Sequence, residues 1–125
     1  MDIKKKIASY EDACKELGLN PENLPVVDTL PEKDRKSIIA YHKLIVITRA
    51  LNEGWEADFS NHNQWKYWNY FGVNSAGFVC ANTTYRSAAS ASASFGSRLC
   101  FKNYEIAEYA RETFKSLYEE LLFIK

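Results

Sequence analysis

The 125 residues fit one domain, and folding a chain of this length buries roughly two thirds of its unfolded surface, enough for a core without a metal or disulfide staple. Sixteen basic and sixteen acidic residues cancel, which excludes the whole-protein basic field that captures long nucleic acids. Hydrophobic residues at 46% argue against disorder, and the aromatic share of 14% is high enough that its placement matters.

In chain order, Met1-Asp2-Ile3-Lys4-Lys5-Lys6-Ile7 carries charge with no apolar run behind it and does not read as a signal peptide. Ser9 is suited to cap a short helix, with Asp12 three residues on and Gly18 as its stop. The segment 20–31 holds three prolines and reads as an extended connection.

A long helix is predicted over 31–53, opened by Pro31 with Glu32 and Asp34 at its positive end and stopped by Gly54. Ile38, Tyr41, Leu44, Ile45, Thr48 and Leu51 recur at steps of three and four along it. The longest apolar run, Leu44 to Ile47, is too short to cross a bilayer.

Three strands are predicted next, over 64–71, 77–82 and 97–102, the first two joined as a hairpin. Alternation puts Trp65, Tyr67 and Phe71 on one face of the first strand and Trp68 and Tyr70 on the other. In the third strand Leu99 and Phe101 face one way, and Arg98, Cys100 and Lys102 face the other. The Ser/Ala-rich run Ser87 to Ser94 reads as a mobile loop. Asn103 caps a last helix over 104–122 with a core stripe of Ile106, Ala110, Phe114, Leu117 and Leu121, and the apolar Leu122-Phe123-Ile124 follows. The expected fold is one α+β domain over 1–125: a small antiparallel three-stranded sheet with two long helices and a short N-terminal helix packed on one face.

No catalytic or metal signature stands out. Cys14, Cys80 and Cys100 form no CxxC pair and read as reduced, partly buried thiols of a reducing cytoplasm. His42 reads as an edge residue of the long helix, and His62 lies in a polar loop with no third ligand set by spacing. Glu53, Glu56 and Asp58 read as solvated carboxylates. The chain is therefore expected not to be an enzyme, to need no cofactor and to hold no metal.

The positive signal is aromatic: Trp65, Tyr67 and Trp68 are stacking candidates for a base, and Arg98 and Lys102 are phosphate candidates, beside backbone N–H groups where the helix opens at Asn103. The competing account makes the same rings core and cross-strand pairs, and makes Arg98 a salt-bridge partner of Glu53 or Glu56. Rings on both faces of one strand, with an apolar tail, also point to self-association.

Several stretches carry a resemblance. Ser9-Tyr10-Glu11-Asp12-Ala13-Cys14-Lys15, Leu51-Asn52-Glu53-Gly54-Trp55, Lys66-Tyr67 followed by Tyr70-Phe71, and Gly96-Ser97-Arg98-Leu99-Cys100-Phe101-Lys102 resemble motifs of a family of small hypothetical proteins from phages and prophages of gut anaerobes. The resemblance covers nearly the whole chain; Phe59 stands where that family often has Trp, and its 83–95 stretch is more aromatic and acidic. It carries no activity over and implies a phage protein in the cytoplasm of an infected bacterium. With the aromatic and arginine signature, this gives the expected function: non-catalytic sequestration of a nucleotide-type small molecule such as a host immune signal. The alternatives are single-stranded nucleic-acid binding, or a structural or host-protein-binding phage component.

Overall fold

The computed structural model of the chain describes residues 2–73, 75, 79–87 and 96–124, residues 73 and 79–87 by their backbone alone. Among them are five α-helices, α1 (Ile3–Lys6), α2 (Tyr10–Leu17), α3 (Glu32–Leu51), α4 (Tyr104–Thr113) and α5 (Lys115–Leu122). One antiparallel pair, β1 (Lys66–Val73) with β2 (Val79–Ser87), completes the regular structure.

Helix ends follow local chemistry. Ser9 Oγ accepts the Asp12 N–H at 3.1 Å and Asp12 Oδ2 takes the Ala8 N–H at 3.0 Å, closing the start of α2. At its far end Gly18 is left-handed, the Leu19 N–H reaches Cys14 O, and the Gly18 N–H reaches Lys15 O. Asn103 Oδ1 accepts the Ile106 N–H at 2.9 Å and opens α4, which occupies one of the backbone donors otherwise open to an anion.

Helix α3 is the spine. Its inward stripe is Ala40, Leu44, Ile47 and Leu51, with Val46, Thr48 and Ala50 also buried. Of the predicted stripe, Leu44, Thr48 and Leu51 are buried, but Ile38 and Tyr41 are exposed, and the small Ala40 faces inward in their place. Helices α2 and α5 both pack on α3, so its buried surface spans more than one side. The Tyr10 hydroxyl donates to Pro21 O at 3.1 Å and lies 3.3 Å from His42 Nε2, which ties the proline-rich connection to α3 and gives His42 its role. Burial pushes the Tyr10 hydroxyl up to about 12.

The three-stranded α+β architecture is overturned: the described residues are mostly helical and carry two strands. Ser97–Leu99 is a 3-10 turn, entered through Gly96 at φ 72, and the sole pairing of that segment with β1 is the bridge Tyr67↔Phe101. In an extended segment the backbone groups of successive residues point to alternate edges, so those of 101 meet β1 while those of 100 and 102 face away from it. Here the second edge is closed by a side chain: Asn52 Nδ2 donates to Cys100 O at 2.9 Å, and Asn52 Oδ1 accepts the Lys102 N–H at 3.1 Å. Leu99, Cys100 and Phe101 are consequently all buried, and the predicted alternation is absent.

Strand β2 runs to Ser87, beyond the predicted 82, and the Ser/Ala run from 88 lies outside the described residues. The single helix over 104–122 is also corrected. It breaks at Phe114 (φ −112, ψ 27), and the break re-aims the stripe so that Tyr118 is fully buried. Tyr118 stacks on Phe71 at 4.9 Å between centroids and its hydroxyl accepts from Asn69 Nδ2 at 3.4 Å.

Candidate functional site

Where α3 ends, three segments meet: residues 48–52 of the helix end, residues 55–57 after it, and Ser97-Arg98 of the 3-10 turn. They line a polar cavity of about 260 Å3 that is open to solvent, with Arg49, Glu56, Ser97 and Arg98 all exposed. Thr48, Arg49 and Asn52 come from the helix, Trp55 and Glu56 from the following segment, and Ser97 and Arg98 from the turn.

The chain holds these walls by side-chain amides. Asn52 fixes 100–102, as above. Gln64 does the same on the other wall: its Nε2 donates to Glu56 O at 3.0 Å and its Oε1 accepts the Asp58 N–H at 2.6 Å. The Trp55 N–H donates to Asn52 O at 3.0 Å. The turn from helix to cavity passes through Glu53 at φ 50 and Gly54 at φ 90, the left-handed region that suits glycine.

The 55–64 loop is closed from below by Lys66. Its side chain is wholly buried, its ammonium donates to Asn61 O at 3.1 Å and Gln64 O at 2.8 Å, and it lies 5.3 Å from the centroid of the Phe59 ring. Asp58 is held below its ordinary range by the Ser60 hydroxyl and N–H and by the charge of Lys66. His62 is exposed in the same loop.

The electrostatics of the cavity are unusual in one respect. Among the described residues neither Arg49 nor Arg98 makes an ion pair, and neither does Glu56, although all three line the same space. Arg49 lies in the last turn of α3, where the helix dipole favours a cation. Arg98 has no such support. Thr48 Oγ1 is buried and has no hydrogen-bond partner among the described residues.

The residues singled out from sequence separate in space. Arg98 lines the cavity; Trp65, Tyr67, Trp68 and Lys102 do not. Trp65 is 49% exposed just before β1, Tyr67 is half-buried against the core, and Trp68 is half-buried on the opposite face of the strand. Lys102 Nζ pairs with Glu53 at 3.0 Å, so one of the two carboxylates offered to Arg98 by the salt-bridge account belongs to Lys102, and Glu56, the other, forms no ion pair with Arg98 among the described residues. Arg98 is exposed on a turn rather than on a strand face.

Four cavity groups lie outside the site residues that the sequence points to: Thr48 belongs to the predicted core stripe, Glu56 to the solvated carboxylates, Trp55 only to the wider aromatic stretch 55–70, and Arg49 to no site. A signal did exist. Thr48, Arg49 and Asn52 are polar residues clustered at the end of an otherwise apolar helix, followed at once by Gly54-Trp55-Glu56.

A second cavity, about 510 Å3, lies between the start of α3 and α5, lined by Glu32, Lys33, Lys36, Ser37, Ser116, Glu120 and Phe123. Its lysines and glutamates balance, and Ser37 Oγ already donates to Leu121 O at 3.1 Å. Cys14 and Cys100 are free and buried, and burial pushes the Cys100 thiol up to about 11, which makes it a poor nucleophile; the Cys80 side chain is outside the described residues. No described helix is long and apolar enough to cross a membrane. Comparison of the chain with protein-family models, with curated proteins and with solved structures finds no match.

Proposed function

We propose that the chain is a non-catalytic binding protein that sequesters a small nucleotide-type anion in the cavity at the end of α3. The observation that carries this reading is the pair of residues Arg49 and Arg98, which line one cavity and make no ion pair among the described residues. Two like charges at one site repel, and a phosphate dianion meets both through forked donors. Trp55 supplies a flat apolar surface in the same space, on which a base stacks. The stacking role moves from Trp65, Tyr67 and Trp68 to Trp55. The resemblance to small phage proteins supports sequestration as the purpose.

The test is calorimetry with nucleoside monophosphates and inorganic phosphate at several salt concentrations. A site with two phosphate-facing arginines weakens modestly with salt, and the ligand is recovered unchanged. A steep salt dependence, seen only with oligonucleotides, would instead favour single-stranded nucleic acid on the exposed rings of Trp65 and Tyr70. No binding by either class would leave the structural or host-protein role. Self-association has its own support in the tail, where Leu122 and Ile124 are exposed. Light scattering that shows a monomer at high micromolar concentration would remove it.

A further inference from the structure

We infer that the outer face of α3 is the surface through which two copies of this chain pair, their α3 helices antiparallel across a two-fold axis between Tyr41 and His42. The inference stands apart from the anion-binding reading and names the partner as a second copy of the same chain.

It starts from helix phase. At 3.6 residues per turn, Asp34, Ile38, Tyr41, His42, Ile45 and Arg49 fall within an arc of about 100°. The buried stripe Ala40, Leu44, Ile47 and Leu51 lies on the opposite side. Neighbouring helices meet the flanks of the outer arc: α2 through Tyr10 at His42 and Lys43, and α5 through Leu121 O at Ser37. Between those flanks Ile38 is 42% exposed, Tyr41 is 36% exposed and Ile45 is half-buried. A helix that is apolar on its outer side as well as its core side is one that is covered on both.

A two-fold axis restricts what stands on such a face, because residue i meets j and j meets i. In an antiparallel pair centred between 41 and 42, Asp34 faces Arg49, Ile38 faces Ile45, and Tyr41 faces His42 of the second copy. The stripe reads alike in both directions: steps of three and four lead from Tyr41 back to Ile38 and Asp34, and from His42 on to Ile45 and Arg49. Isoleucine therefore meets isoleucine, and the acid at one end meets the base at the other. A parallel pair would set Asp34 on Asp34 and Arg49 on Arg49, so charge selects the antiparallel register, in which the helix dipoles also oppose. Self-complementarity about a single point is a constraint that a two-fold dimer imposes and an unrelated partner does not. Arg49 carries five N–H donors, so a carboxylate across the axis and an anion in the cavity are not exclusive. The 20 residues of α3 span about 30 Å, which places one helix pair at the small end of specific interfaces and the dissociation constant in the micromolar range.

The experiment is sedimentation equilibrium of the full chain, which should show a dimer forming over the micromolar range. Ile38→Glu, at an exposed position, should abolish the dimer while circular dichroism shows a folded chain. Asp34→Arg and Arg49→Asp each put two like-charge contacts into the dimer and should each raise its dissociation constant at least about tenfold. Mixed together, these two variants restore both opposite-charge contacts and should pair as a heterodimer, a result that a merely structural role of either residue does not produce. A wild-type chain that stays monomeric throughout the micromolar range overturns the interface. So does a dimer that Ile38→Glu or the charge reversals leave intact, as pairing through the exposed Leu122 and Ile124 would be, and so do folded charge variants that stay apart when mixed. None of these readouts involves a nucleotide or phosphate, so failure here and failure of the anion reading are separate results.

Discussion

Replacing Asn52 is the most direct probe of how the site is held. Its amide is 4% exposed and bridges two backbone groups, donating to Cys100 O at 2.9 Å and accepting from Lys102 N at 3.1 Å. Asn52→Ala orphans both in a region where Leu99, Cys100 and Phe101 are all buried. Each orphaned group costs about 1–3 kcal/mol, so the sum is about 2–6 kcal/mol, a large share of an ordinary domain's stability. At a urea m value of about 1.5 kcal/mol/M the midpoint falls by about 1.3–4 M. Asn52→Leu refills the space and isolates the hydrogen-bond contribution from the cavity contribution, so it should remain severely destabilised. Urea unfolding followed by fluorescence of the three tryptophans reads both variants. A midpoint for Asn52→Leu within experimental error of wild type would show that the segment 100–102 stands without this bridge, and the account of the missing third strand would fail with it.

Other perturbations separate folding from binding. Arg98→Ala, on an exposed turn with no ion pair among the described residues, should cost less than about 0.5 kcal/mol and abolish nucleotide binding, as read by thermal unfolding and calorimetry on one preparation; retained affinity refutes its role. Gly54→Ala should cost about 1–2 kcal/mol purely through its left-handed backbone at φ 90, because an added Cβ there meets nothing within 4 Å; a neutral urea curve would count against the turn geometry. The Asp58 carboxyl is held down, so its contribution is present above about pH 4, the unfolded value, and is lost as pH falls through the lowered folded value. Urea midpoints between pH 6 and 3 should therefore fall less steeply in Asp58→Asn than in wild type, and parallel curves would contradict the Ser60 contacts.

The sequence was most legible where structure is decided within a few residues. Ser9, Gly18 and Asn103 sit at helix ends because capping is a contact between a side chain and backbone three or four positions away. It was least legible where distant partners decide. The segment 97–102 alternates like a strand, but the amide that closes its second edge comes from Asn52, 48 residues earlier. Lys66 follows a similar rule. Strand periodicity places it with Trp68 on an outward face, yet the loop 55–64 folds over it and buries the ammonium against two carbonyls. Arg98 was singled out on the assumption of a strand face. Its exposure comes instead from the 3-10 turn after Gly96.

The position of the cavity follows from those same long-range amides. A β-ladder would align Arg98 with its neighbours and fix its surroundings through repeated backbone pairing. A turn pinned at one point by Asn52 faces a loop pinned at another by Gln64, and the space between them is lined by groups that owe nothing to regular structure: two guanidinium groups, a carboxylate and an indole. Such a site is preorganised through residues that need not touch a ligand. Gln64→Ala removes the clamp on Glu56 and Asp58 while leaving every charged cavity group in the sequence. It should therefore weaken binding of a nucleoside monophosphate, with inorganic phosphate affinity held by Arg49 and Arg98 nearly unchanged. If phosphate and nucleotide affinities instead fall by the same factor, Gln64 supports the whole cavity rather than the wall that carries Trp55, and the division between an anchored phosphate and a stacked base is wrong.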